Sequence, residues 1–157
     1  MEQIWAPWRM KYILMDKSKG CFLCENFKQD NDAVSYILYR GSKNFVIMNL
    51  YPYNPGHLMI APCRHVASRE EMTKEELHEH SEIVSRSIKV LRQAFDPQGF
   101  NIGVNIGKVA GVGLEGHVHT HIVPRWQGDT NFMPVISDTM VVSEALGETY
   151  KKLEGKF

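Results

Sequence analysis

An α+β domain, with a mostly antiparallel sheet packed by one long helix, is the architecture this sequence predicts. Short β-branched and aromatic runs, broken by Gly and Pro, read as strands between about Ala33 and Cys63 and again between Phe100 and Pro124. Between them, from Thr73 to Phe95, apolar residues recur at threes, fours and sevens, the spacing of a helix with one buried stripe. The chain has 157 residues with no repeat and no low-complexity segment. That length suits one domain, 1–157, able to bury ~70% of the surface its unfolded form exposes.

Taken in order, the opening "MEQIWAPWRMKYIL" holds no apolar run long enough for a signal peptide or a membrane span. The expected location is therefore cytoplasmic, or a comparable reducing compartment, with no membrane partner. Three cysteines, an odd number, suit reduced thiols or metal ligands better than a disulfide framework. The runs "AVSYILYR", "NFVIMNL" and "GHLMIAPC" read as strands, separated by Gly41-Ser42 and by "YPYNPG". Thr73 with Glu76 forms a capping-box signature, and Leu77, Val84, Ile88, Leu91 and Phe95 mark the inward stripe until "DPQG" stops the helix. "FNIGVNIG" and "HVHTHIVP" read as two more strands around a loop dense in glycine, and Ser143 is a candidate cap for a last short helix through "EALGETYKKL".

Composition excludes some classes of function. The 43% hydrophobic and 23% charged content is ordinary for a globular protein. Eighteen Lys and Arg balance eighteen Asp and Glu, so there is no net field of the kind that coats a polyanion. No nucleic-acid partner is expected, and any anionic ligand needs a local site.

The chain has seven histidines, and His117, His119 and His121 stand at alternate positions in "GHVHTHIVPRW". In a strand they share one face, with Val118, Thr120 and Ile122 turned to the core. At ~3.3 Å rise per residue the outer two begin about 13 Å apart. One metal with ~2 Å bonds does not easily gather all three, although two neighbours can share one. The row therefore divides its labour. A solvated polar face and a metal-only site are the plainer readings. The preferred one is a neutral imidazole acting as nucleophile toward phosphorus, with one nitrogen held as donor so that the other presents its lone pair. A metal-dependent oxygenase would want a carboxylate beside the histidines, and Glu115, the nearest in sequence, lies in the loop.

"HVHTHIV" resembles the His-x-His-x-His-x-x signature of the histidine-triad nucleotide hydrolases and transferases, with Thr120 departing from the usual apolar x. "NLYPYNPGHLMIAP" is similar to the family's upstream strand-turn-strand, while "PRWQGDTNF" and "WAPWR" narrow the likeness to its fragile-histidine-triad branch. The resemblance implies a histidine-triad fold and cleavage of diadenosine polyphosphates, or related AMP derivatives, at the α-phosphorus. It implies His119 as nucleophile, His121 assisting the leaving oxygen, and His57 supporting the triad. Asn49 would bond ribose hydroxyls, water or inorganic phosphate would release the nucleotide, and two copies would form a homodimer. The rival reading is a zinc-stabilised nucleotide-binding or interaction protein without useful turnover.

The loop "NIGKVAGVGLEGH" has glycines where a backbone approaches an anion, so Gly111 and Gly113 are phosphate-binding candidates. It is not a Walker loop, since Val109 follows Lys108 where Ser or Thr is needed. Asn105 has an amide that can donate to a phosphate oxygen, and Arg125 and Trp126 are candidates to flank the site. "CFLC" has zinc-knuckle spacing but lacks two further ligands nearby. His78 and His80, two apart on the helix, point away from each other and read as a surface and a core-edge residue. Cys63 is a rival ligand, and no thioredoxin-like pattern supports a redox pair. The resemblance implies that His65 and His117 complete a closed Cys₂His₂ sphere with Cys21 and Cys24, so that zinc would be structural and would tie the N-terminal segment to the sheet.

Overall fold

The computed structural model describes residues 20–110, 116–129 and 144–157. In chain order it contains α1 (Phe22–Lys28), α2 (Asp32–Ser35), β1 (Ile37–Arg40), β2 (Asn44–Met48) and β3 (Leu58–Pro62). There follow α3 (Lys74–Phe95), β4 (Gly99–Val104), β5 (Thr120–Arg125) and α4 (Leu146–Leu153). The strands form one sheet in the order β1-β2-β3-β5-β4, every neighbouring pair antiparallel, so the expected α+β architecture holds.

Alternation along the strands separates two apolar layers. Val46, Met48, Leu58, Ile60 and Ile122 meet Ile83, Val90 and Leu91 of α3 and Tyr150 and Leu153 of α4. On the opposite face Phe45, Ile47, Met59 and Ala61 pack against Leu23 of α1. β5 lies between β3 and β4, with His121 opposite Met59 on one side and Gly103 on the other.

Four expectations need correction. The first strand begins at Ile37 rather than Ala33, because the Asn31 side chain accepts from the Val34 N–H and caps a helical turn that ends on Tyr36 in the left-handed region. The buried line of α3 runs through His80, Ile83, Ser87, Val90 and Leu91, and Leu77, Val84, Ile88 and Phe95 are only half-buried. The helix is thus rotated so that three polar side chains, Glu76, His80 and Ser87, are buried. β5 starts at Thr120, so His117 and His119 precede the strand instead of sharing its register. The last helix starts at Leu146, with Ala145 at its cap position and no side-chain cap bond; Ser143 lies outside the described residues.

The capping box does form: Thr73 Oγ1 accepts from the Glu76 N–H, and Glu76 Oε2 accepts from the Thr73 N–H. One turn on, the Glu79 carboxylate accepts from the N–H groups of Ser42, Lys43 and Asn44, from Ser42 Oγ and from Asn44 Nδ2. Gly41 permits this tight loop, since a Cβ there would lie 2.7 Å from the Asn44 carbonyl oxygen. Burial works against the Glu79 charge, but the bonds from Asn44, Ser42 and Lys43 outweigh it and hold the carboxyl down at about 2. Its contribution to stability is therefore complete above the ordinary carboxylate range and is lost as pH falls through about 2. Glu79→Gln is expected to lower the unfolding free energy by about 1–2 kcal/mol at neutral pH. Its deficit should shrink as pH is stepped down below about 4.5, measured by urea unfolding at each pH.

Candidate active site

The turn that carries His57 is built by its own polar groups. Asn49 Oδ1 accepts from the Tyr51 N–H, the Asn49 N–H donates to the His57 carbonyl, and the Tyr53 N–H donates to His57 Nδ1 at 3.1 Å. His57 is 1% exposed, and burial, reinforced by His121 and His119, pushes its pKa down to about 3. The ring is neutral at pH 7. Because Nδ1 already accepts, the single proton sits on Nε2, which donates to His121 Nδ1 at 3.0 Å. His121 in turn must carry its proton on Nε2 when neutral. One backbone N–H therefore sets two imidazole tautomers.

His119 is set in the opposite sense. Its Nδ1–H donates to the His117 carbonyl at 2.9 Å, which leaves the lone pair on Nε2. The ring is nine-tenths buried, and burial lowers its pKa despite the opposing bond to that carbonyl. The rings of His119 and His121 meet edge to face with centroids 4.8 Å apart. A neutral lone pair thus stands beside a ring whose donor hydrogen is fixed elsewhere, a pairing suited to attack on an electrophile and hydrogen bonding to its leaving oxygen.

His117 faces a different neighbourhood, as the expected division of labour requires. Its Nε2–H donates to the Pro62 carbonyl at 2.8 Å, so Nδ1 offers a lone pair. That atom lies 3.2 Å from Cys21 Sγ and 3.4 Å from Cys24 Sγ, while His65 Nδ1 is 3.3 Å from Cys24 Sγ. The four ligand atoms all lie within 4.8 Å of one another. Bonds of ~2.3 Å to sulfur and ~2.1 Å to nitrogen in a tetrahedron separate such atoms by about 3.6 Å, so two thiolates and two imidazoles are near the spacing an ion needs. Gly116, at φ +87°, admits His65: a Cβ there would lie 3.1 Å from His65 Nε2. Cys63 is not in this group among the described residues; it packs at the edge of the apolar cluster beneath α1, and burial pushes its thiol up to about 11.

The remaining candidates vary. Asn49 organises the His57 turn, its Nδ2 standing 3.5 Å from each His57 nitrogen. Asn105 follows β4 and is half-buried, whereas Gly111 and Gly113 lie outside the described residues, as does the "WAPWR" stretch. Arg125 is committed to Asp129, at 2.6 and 2.8 Å, and to Asn101 at 2.6 Å. Trp126 donates its backbone N–H to the same Asp129 carboxylate. His78 is exposed and lies 3.5 Å from Glu82.

His80 was underrated by sequence. It is 3% exposed, and both nitrogens are engaged, Nδ1 with Asn44 Oδ1 at 3.0 Å and Nε2 with Thr120 Oγ1 at 2.7 Å. The only signal was a polar residue in each of two apolar patterns, at Thr120 and at His80, with nothing to link them.

A family model for the HIT domain matches residues 30–128. AP-4-A phosphorylase from Mycobacterium tuberculosis is 35% identical over 161 residues, spanning 98% of this chain and 83% of that protein. The bis(5'-adenosyl)-triphosphatase of Dictyostelium discoideum is 35% identical over 95 residues, 60% of this chain and 63% of that protein. The fold is similar to that of a Zn-bound histidine triad family protein from Mycobacterium smegmatis, with TM-score 0.69 and 21% identity over 87% of this chain and 92% of that one. The domain match spans more than half of the sequence and includes all three alternating histidines, and on that ground this chain belongs to the HIT domain family.

Proposed function

We propose that this protein cleaves the α-phosphate linkage of diadenosine polyphosphates, or of related AMP derivatives, through a nucleotidyl intermediate on His119. The observation that carries this reading is the Nδ1–H bond from His119 to the His117 carbonyl, which presents a neutral Nε2 lone pair. Similarity to a phosphorylase and a triphosphatase of adenosine dinucleotides supports the substrate class. In the first step the His119 Nε2 lone pair forms a bond to the α-phosphorus while the bond from phosphorus to the bridging oxygen breaks. His121 Nε2–H donates to that departing oxygen, and His57 keeps His121 in this tautomer. In the second step a water oxygen, giving up a proton to solvent, or an unprotonated oxygen of inorganic phosphate bonds to phosphorus, and the P–N bond returns its pair to His119. Asn49, Asn105, Gly111 and Gly113 are the proposed nucleotide and phosphate contacts.

The ion suited to Cys21, Cys24, His65 and His117 is zinc, since two thiolates and two imidazoles make its preferred closed tetrahedral set. Its role would be structural, holding α1 and His117 in one body. Residues 1–157 make a single domain in this reading, with the zinc-binding segment at about 1–30 and an extension at about 127–157. Two copies are proposed to associate as a homodimer; β4 is one of the two outer strands, and its Asn101 to Gly103 are exposed. A cytoplasmic location is in keeping with three free cysteines.

Rapid mixing with diadenosine tetraphosphate followed by acid quench and mass spectrometry should find added nucleotidyl mass on His119. His119→Ala should lower turnover by at least about 10³-fold with AMP still bound; undiminished turnover rejects this mechanism, and binding without product from the unaltered protein favours the non-enzymatic rival. Since burial holds His119 neutral, kcat/KM should persist on the acid side below the ordinary imidazole value of ~6.5, and an acid limb at or above that value would contradict the assignment. Metal analysis should give about one zinc per chain, lost in a Cys21→Ser, Cys24→Ser double variant, and a full complement in that variant would show the ligands to be wrong.

A further inference from the structure

We infer that His80 is a positioning residue for His119, acting through a hydrogen bond to Thr120 at the point where the histidine-bearing segment becomes strand β5. The inference rests on the reading of His119 as nucleophile. Thr120 is both the first residue of β5 and the residue between His119 and His121. Its neighbours on the inward face, Val118 and Ile122, are buried and apolar. Thr120 alone among these three offers a directional contact.

The contact belongs to a chain that crosses the helix–sheet layer. Asn44 Nδ2 donates to the Glu76 carbonyl and to the Glu79 carboxylate, each at 3.0 Å, which fixes the Asn44 amide with Oδ1 toward His80. His80 Nδ1–H donates to that oxygen, so Nε2 accepts, and the Thr120 hydroxyl must be the donor at 2.7 Å. Asn44 is 0% exposed, His80 3% and Thr120 5%. Burial keeps His80 uncharged, with its pKa lowered to about 4, so the acceptor is present across the working pH range. Three elements therefore meet at one point: β2 through Asn44, α3 through His80 and β5 through Thr120.

Apolar packing tolerates a small slide of one element along another, whereas buried donor and acceptor groups lose their bond when displaced by about 1 Å. The same slide at a reacting nucleophile costs about 100-fold in rate. Pinning Thr120 fixes where the backbone of His119 enters the strand, and hence where Nε2 stands relative to a bound phosphorus.

Three variants of the 1–157 chain, purified without chelator, test this: Thr120→Ser, Thr120→Val, and Thr120→Val with His80→Leu. The single valine variant strands the His80 nitrogen and loses stability; the double variant removes that pair but leaves buried Asn44 Oδ1 without its His80 donor, so its melting temperature should recover in part. With diadenosine tetraphosphate, kcat should fall about tenfold or more in both valine variants with KM within about twofold, while Thr120→Ser stays within about threefold of the parent. A merely structural role predicts that kcat returns together with the melting temperature in the double variant, and that result overturns the inference. A readout without substrate separates this from failure of the proposed reaction. The His119 Nδ1–H, followed by proton NMR, should exchange with water about tenfold faster in both valine variants than in the parent and Thr120→Ser. Exchange unchanged in the double variant overturns the inference whether or not any dinucleotide is cleaved.

Discussion

The bond from His119 Nδ1–H to the His117 carbonyl is the contact on which the site depends, because it decides which nitrogen of the middle imidazole keeps a lone pair. The same residue whose carbonyl takes that proton turns its ring the other way, toward Cys21 and Cys24. His117 is thus held from both ends, its Nε2–H on the Pro62 carbonyl and its Nδ1 among the thiols. A disturbance at Cys21 or Cys24 therefore reaches the His119 tautomer through a single residue.

Neutral imidazoles in a row are costly to bury unless each polar atom has a partner. Here the partners come largely from backbone: Tyr53 N–H for His57, the Pro62 carbonyl for His117 and the His117 carbonyl for His119. Backbone groups held in turns and strands do not swing away as side chains do, so the protonation pattern is built into the fold. The low values for His57, near 3, and His117, near 4, follow first from burial.

Sheet topology makes these contacts possible. Inserting β5 between β3 and β4 pairs Leu58 with Ile122, which sets His57 beside His121 across the strand boundary although 64 residues separate them. The α1 helix covers the other half of that face through Leu23 and brings the cysteine pair to the near end of the row. Opposite His121, Gly103 contributes no side chain, and the position its Cβ would take is open.

Much of this was legible in local pattern. The Thr73–Glu76 cap and the strand runs through β2 and β3 each rest on interactions a few residues long, so periodicity and side-chain type determined them. The onset of β5, the rotation of α3 and the burial of His80 did not follow, because each is settled by competition among distant surfaces for the same core space. Spacing alone also left the ligands of the cysteine pair open: Cys21 meets His117 across 96 positions, and Cys24 meets His65 across 41. A sequence states what each side chain can donate, accept or bury. Which partner answers it is decided only when the strands are ordered, since the free energy of a buried polar group resides in the pair and not in either residue.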